Sequence, residues 1–219
     1  IADISVVWAK DEDGIVRGGV VDNKSEGFSA PLQKGKWSLR ASITSELVFE
    51  NVFVPEENLL PNVKGLKGPL GCLNQARYGI GWGAIGSAMA VYEASVVYAK
   101  ERVQFGRPIG TFQALQHHCA NMAIDVEGCR YLTYQAAWSL SQGFNSRKEV
   151  SMAKAWVNEA YNRICTLSHQ CHGAIGFTME HDLQLYTRRA RVQEQSFGET
   201  QFHVEVLTKN IGSLRRGSL

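Results

Sequence analysis

The stretch that most constrains this chain runs from residue 68 to 110, GPLGCLNQARYGIGWGAIGSAMAVYEASVVYAKERVQFGRPIG. Ala76, Gly79, Gly83, Gly86 and Ala90 recur at spacings of three and four, and Tyr78, Trp82, Ile85 and Met89 form a second row at the same period. That periodicity predicts a long helix with two buried faces. A glycine inside a helix costs roughly 1 kcal/mol relative to alanine. Glycines at positions 79, 81, 83 and 86 therefore predict a helix whose backbone is closely approached. The helix runs into Arg102-Val103-Gln104-Phe105-Gly106-Arg107-Pro108, a loop with two guanidinium groups.

The rest of the chain divides around that helix. From residue 1 to about 60 the pattern is β: strands over Ile4–Ala9, Ile15–Val21, Phe28–Pro31 and Ser45–Val54, with a charged turn at Lys10–Gly14 between the first two. The chain opens in mid-strand, which reads as a fragment, a processed chain or one half of a split protein. Residues 61–68 are a Gly/Pro/Lys linker. Residues 69–219 read as helices over about 69–100, 111–142, 147–170 and 180–196, with a fifth from near Thr200. Leu115, Cys119, Met122, Ile124, Val126, Cys129, Leu132 and Trp138 mark the buried side of the second. Ser146 and Glu149 have the spacing of a capping box for the third. The fold class expected is α+β: part of an antiparallel β-domain (1–60), the linker (61–68) and an up-down helical bundle (69–219).

Composition excludes several functions. With 219 residues, 44% of them hydrophobic, the chain is long enough for a sizeable core. A formal net charge of +2 with mixed signs and no basic cluster gives nucleic acid no footing. No uncharged apolar run approaches the roughly 20 residues of a membrane span. Cys72, Cys119, Cys129, Cys165 and Cys171 are odd in number and lie in helical patterns, as reduced core thiols do. No pair has zinc spacing, and His169, Cys171 and His172 match no closed metal site.

Residues 68–80, GPLGCLNQARYGI, together with Arg102-Val103-Gln104-Phe105-Gly106, resemble the acyl-CoA dehydrogenases, and among them the glutaryl-CoA dehydrogenases. The resemblance spans nearly the whole chain but only the C-terminal part of a family member. Up to about Gln116 its motifs are specific; beyond Leu140 the likeness is to the wider family. It implies a homotetramer, a dimer of dimers, with FAD between the β-domain and the bundle. It also implies an acyl-CoA substrate, an electron-transferring flavoprotein as electron acceptor, and a cytoplasmic (bacterial) or mitochondrial-matrix location.

By that resemblance Arg102, Gln104, Phe105 and Gln113 contact the flavin dinucleotide. A guanidinium presents forked donors to a phosphate, and a helix starting near Thr111 presents free N–H groups. The bland alternative for Arg102 is a surface ion pair with Glu101 or Asp125. Gln170 and Gly173 match the Gly-rich turn that holds the adenine arm of a neighbour's FAD, with Ala174 in place of its second glycine; a plain helix C-cap is the alternative. Leu70, Asn74 and Arg77 match the segment on the acyl-CoA thioester arm, although Arg77 reads equally as a structural arginine.

The base is where the chain departs from the family. Its glutamate lies in a Tyr-Glu-Gly-Thr stretch, which Phe197-Gly198-Glu199-Thr200 matches here. Gly198 then occupies the base position, and Thr200 matches the threonine at the flavin. The second position that some relatives use holds Ala76, preceded by Gln75. Three readings stand: Glu199 serves as base after a one-residue shift of the turn; the chain is a non-catalytic partner in a mixed oligomer; or it catalyses something else, or nothing. The leading function is FAD-dependent α,β-dehydrogenation of a short-chain, glutaryl-like acyl-CoA.

Overall fold

The computed structural model describes residues 2–214, with side chains through Lys209. It divides into two compact units, one ending at Leu73 and one starting at Asn74.

In the first unit, β1 (Ile4–Lys10) and β2 (Val16–Asp22) pair antiparallel, with Trp8 opposite Gly18. The turn between them is fixed by one carboxylate. Asp11 accepts the Ile15 N–H at 2.8 Å and pairs with Arg17 Nε at 3.0 Å. The Arg17 hydrogen bond, then the Ile15 N–H, hold its carboxyl below the usual range. Gly14 closes the turn at φ +74°. Gly18 is required by contact: a Cβ there would lie 2.7 Å from both the Trp8 ring and Leu60 Cδ1. β3 (Phe28–Ser29) pairs with β4 (Val48–Phe49) through rings 5.3 Å apart.

Both later strands are shorter than the alternation predicts. Asn51 sits at φ +55° and breaks the run toward Val54, while Leu32 and Ser45 form only an isolated bridge. The hydrophobic alternation is present, but no long partner strand meets it within the unit.

The second unit is helical. It contains most of α1 (Lys67–Glu101), then α2 (Gln113–Ser141), α3 (Arg147–His172), α4 (Leu183–Gln195) and α5 (Thr200–Leu214). The hairpin of β5 (Val103–Gln104) and β6 (Arg107–Pro108) separates α1 from α2. Ala84, Ile85, Ala88 and Val91 of α1 meet Met122, Val126 and Cys129 of α2 and Val157, Ala160, Tyr161, Ile164 and Cys165 of α3 in one core. All five cysteines are free.

Helix α1 corrects two expectations. Its buried stripe is Gly81, Ala84, Ala88, Val91, Ser95 and Ala99, joined by Ile85. Gly79, Gly83 and Gly86 lie outside that stripe, and a Cβ on any of them would meet nothing within 4 Å. The expected close approach is thus absent among the described residues. Of the second row only Ile85 is buried; Trp82 is exposed, with its ring 6.1 Å from Tyr78 and 5.4 Å from Tyr134. By length and composition α1 is also apolar enough to cross a membrane. Its stripe packs in the bundle core, where Ser95 Oγ, fully buried, donates to Ser168 Oγ at 2.7 Å.

Two smaller expectations fail as well. Ile124 and Trp138 of α2 are 64% and 59% exposed rather than inside. Ser146 precedes α3 but makes no capping bond: its hydroxyl lies 2.8 Å from Ser139 Oγ and 3.0 Å from the Phe144 carbonyl, because it is turned into the interhelical corner. Glu149 has no capping-box partner there.

Candidate active site

Three groups of sequence-predicted residues lie on separate elements of the second unit. The Arg102–Gly110 loop is a tight hairpin: Ile109 N–H donates to the Arg102 carbonyl at 2.8 Å, and Phe105 and Gly106 turn at φ +53° and +75°. Positive φ in a phenylalanine is strained. Here it holds the ring out, 92% exposed. Arg107 stacks over Phe112 at 4.2 Å. Arg102 and Gln104 are exposed, and Arg102 makes no ion pair among the described residues. Its expected partner Asp125 is taken by Arg163 at 2.7 Å. Gln113 opens α2 behind Phe112, and no side chain caps that first turn. An exposed guanidinium, a bare aromatic ring and an uncapped helix start suit an anionic ligand with a flat ring.

Gln170 and Gly173 lie at the C-terminal end of α3, both exposed, and Gly173 takes φ +63°. The chain continues from there as a 3-10 turn, Gly173–Phe177. The histidines beside it are structural. His172 Nδ1 lies 2.8 Å from the Ser168 carbonyl and its ring stacks on Tyr98 at 4.6 Å. His169 Nε2 lies 2.8 Å from Thr187 Oγ1. Burial, first of the causes, lowers both pKa values. No group of three or more metal-binding side chains gathers among the described residues.

The third group converges on the turn between α4 and α5. Phe197 and Gly198 take φ +59° and +110°. Arg77 Nε donates to the Phe197 carbonyl at 2.8 Å, Arg77 Nη1 donates to Asn74 Oδ1 at 2.7 Å, and the guanidinium lies 5.0 Å from the Phe202 ring. Burial, then the charge of Arg147, pulls the Arg77 pKa down. Asn74 and Arg77 are therefore brought together with residues 197–202, as parts of one hydrogen-bonded corner. Leu70 belongs to the first-unit part of α1 and is half exposed.

Gly198 has no room for a side chain. A Cβ there would stand 2.7 Å from Phe202 Cδ1 and 2.9 Å from His203 Nε2, at a φ that L-residues avoid. A carboxylate at the family's base position is incompatible with this turn. Glu199 comes next, exposed, at the mouth of α5. Thr200 Oγ1 is buried with no hydrogen-bond partner among the described residues. It is an orphaned buried hydroxyl.

Beneath this turn lies a cluster that the motifs did not reveal. Lys154 of α3 is 1% exposed. Its Nζ donates to Asn158 Oδ1, to the Gln193 carbonyl at 3.0 Å and to the Gly198 carbonyl at 3.4 Å. Asn158 Nδ2 reaches the same Gly198 oxygen at 3.4 Å. Gln193 Nε2 donates to the Ile80 carbonyl at 2.5 Å, tying α4 to α1. His203 is wholly buried, its Nδ1 3.3 Å from Ser151 Oγ. Burial depresses its pKa to about 4, with the charges of Lys154 and Arg77 next in weight. A signal existed: Lys154 and Asn158 fall in the inward register of Val150, Val157, Tyr161 and Ile164, where a cation is out of place.

The family model for the acyl-CoA dehydrogenase C-terminal domain matches residues 64–212. The mitochondrial short/branched chain specific acyl-CoA dehydrogenase of Rattus norvegicus is 35% identical over 193 residues, covering 88% of this chain and 45% of that protein. A subunit of the caffeyl-CoA reductase–Etf complex of Acetobacterium woodii is 36% identical over 197 residues, covering 88% and 52%. The crystal structure of a glutaryl-CoA dehydrogenase from Mycobacterium smegmatis superposes with a TM-score of 0.91 at 34% identity, covering 96% of this chain and 54% of that one. The chain spans about half the length of the curated relatives it matches.

Proposed function

The chain belongs to the acyl-CoA dehydrogenase family, and on that premise we propose that it is the C-terminal part of an FAD-dependent dehydrogenase that converts a short-chain acyl-CoA to the 2-enoyl-CoA. The single observation that carries the reading is the 197–200 turn: a glycine without room for a side chain, then an exposed carboxylate, then a buried orphan hydroxyl. We take Glu199 as the base. A general base must come within about 3 Å of the proton it removes. Phe197 and Gly198, both at positive φ, redirect the chain just before it.

Arg102 and the uncapped start of α2 at Gln113 would hold the dinucleotide's phosphates, while Gln104 and Phe105 pack beside it. Gln170 and Gly173 would hold the adenine arm of a neighbouring subunit's cofactor, and Thr200 would donate to the flavin. Bound there, FAD supplies the acceptor for the substrate's β-hydride. A glutaryl-CoA dehydrogenase of Mycobacterium smegmatis solved in complex with FADH2 supports the cofactor. Asn74 and Arg77 act together: Arg77 sets the turn, and Leu70 with Asn74 lines the acyl-CoA side.

The wider assignments are proposals of the same reading. The acceptor is an electron-transferring flavoprotein, supported by the Etf complex of the Acetobacterium relative. The exposed aromatic residues Tyr131, Trp138 and Phe144 favour a homo-oligomer, as a tetramer built from two dimers. The cytoplasm or the mitochondrial matrix is the location. We assign residues 1–60 to the end of a β-domain, 61–68 to a linker and 69–219 to a helical domain; residues 1 and 215–219 lie outside the described residues.

A second reading rests on Gly198. With no carboxylate at the usual base position, the chain completes a partner's flavin site without catalysing. A substrate panel separates the two, and the glutaryl-like start of the chain makes it specific. Glutaryl-CoA, butyryl-CoA and a branched short-chain acyl-CoA are given to the flavin-loaded protein with an artificial electron acceptor. The expected result is turnover of at least one, with glutaryl-CoA preferred and carbon dioxide released from it. Turnover of none sinks the enzyme reading; turnover without glutaryl-CoA removes the glutaryl assignment alone.

A further inference from the structure

Lys154 is a buried ammonium among neutral oxygens. Its neighbours are Asn158 Oδ1 and the Gln193 and Gly198 carbonyls, and it makes no ion pair among the described residues. Burying a lone charge is costly unless its hydrogen bonds are met, so a lysine here is a poor device for stability alone. Its position shows another use. The Gly198 oxygen takes donors from both Lys154 and Asn158, and the preceding oxygen, of Phe197, takes Arg77. Phe197 at φ +59° is a conformation that persists only where its surroundings over-determine it. Two cations and one amide, from α1 and α3, provide that constraint.

We propose that Lys154 is the positioning residue of the 197–199 turn: its charge grips the Gly198 carbonyl and so fixes the direction in which Glu199 leaves the turn. The role in catalysis rests on the dehydrogenase reading above; the grip on the turn does not.

A charge placed this way makes the turn sensitive to pH. Burial, the largest cause, lowers the Lys154 pKa to about 8, with Arg77 adding to the fall and Glu194 opposing it. The charged or titratable groups facing it are Arg77 from α1, Glu194 from α4 and His203 from α5, with Arg147 on its own helix facing Arg77. Glu194 is already engaged by Asn162 at 3.0 Å and Arg191 at 3.5 Å. His203, with a pKa of about 4, stays neutral through the range in which Lys154 titrates. Lys154 therefore carries the change alone. Above its pKa the amine loses its charge and keeps only two N–H groups for three acceptors, so the hold on Gly198 weakens.

The test tracks the Gly198 carbonyl carbon and the Glu199 amide nitrogen by NMR across the alkaline range, in the wild type, Lys154→Met and Asn158→Asp. The wild type is expected to show one step near pH 8, from the pKa of about 8. Lys154→Met is expected to lose the step. Asn158→Asp places a carboxylate beside the ammonium and is expected to move the step up by about one pH unit or more, since an opposite charge at contact favours the charged form. A step that survives in Lys154→Met, or no step in the wild type, overturns the proposal. If Lys154→Met does not fold, Asn158→Asp decides, because an unmoved step there overturns it equally. In flavin-loaded protein kcat is expected to fall on the alkaline side at the NMR midpoint of the wild type and, shifted upward, of Asn158→Asp, with no such fall in Lys154→Met and KM little changed. The NMR steps in a protein that turns over no acyl-CoA would retain the grip and remove the dehydrogenase reading.

Discussion

Lys154 and His203 share one buried corner and oppose each other electrostatically. Lysine stays charged at neutral pH, while the imidazole next to it is driven neutral, with a pKa of about 4. Folding is therefore coupled to pH through His203. In the unfolded chain it binds a proton below about 6.5, whereas the folded chain resists until about 4. Its contribution to stability is complete above about pH 6.5 and is lost as pH falls toward 4. His203→Gln is expected to flatten the acid side of the stability curve, read as the urea midpoint at successive pH values between those limits. A slope identical to the wild type would show that His203 is not the acid-sensitive group. The same corner explains why Gly198 stands where a carboxylate was expected: Phe202 Cδ1 and His203 Nε2 occupy the space a Cβ would need.

At the scale of elements, the inward register of α3 dominates the bundle. Val157, Tyr161 and Ile164 are at most 1% exposed and meet α1 and α2 in one core. Ile164→Ala is expected to cost about 2–5 kcal/mol, a transfer loss plus an unfilled cavity. Ile124→Ala, on the outer face of α2, is expected to stay within about 0.5 kcal/mol. Denaturant unfolding of both variants checks the pair, and equal costs would contradict this core. The helices were legible because their apolar residues recur at helical spacing: α2 and α3 lie within two residues of their expected bounds. The β segments after residue 27 were less so, since alternation records a strand's two faces but not whether a partner is there to pair. Arg77 carried its motif openly, but its grip on Phe197 joins residues 120 apart in sequence, and no local pattern shows that. Lys154 was visible only as an anomaly, a cation in an apolar register.

At the scale of the whole molecule, three surfaces are held ready on separate elements: the Arg102–Gln113 hairpin, the Gln170–Gly173 turn and the Phe197–Thr200 turn. The first two present a guanidinium, exposed amides and a glycine, and the imidazole in the second, His172, is buried against Tyr98. On the proposed dehydrogenase reading, proton removal falls to the third, and there to Glu199. Its most direct test is the visible spectrum of the flavin-loaded protein before and after anaerobic addition of a short-chain acyl-CoA, in the wild type and in Glu199→Gln. The wild-type flavin is expected to bleach, while Glu199→Gln keeps its flavin but bleaches about a hundredfold more slowly or worse, the usual contribution of a general base. Equal bleaching in both proteins would contradict Glu199 as the base, and a protein that cannot be loaded with FAD would contradict the flavin site itself.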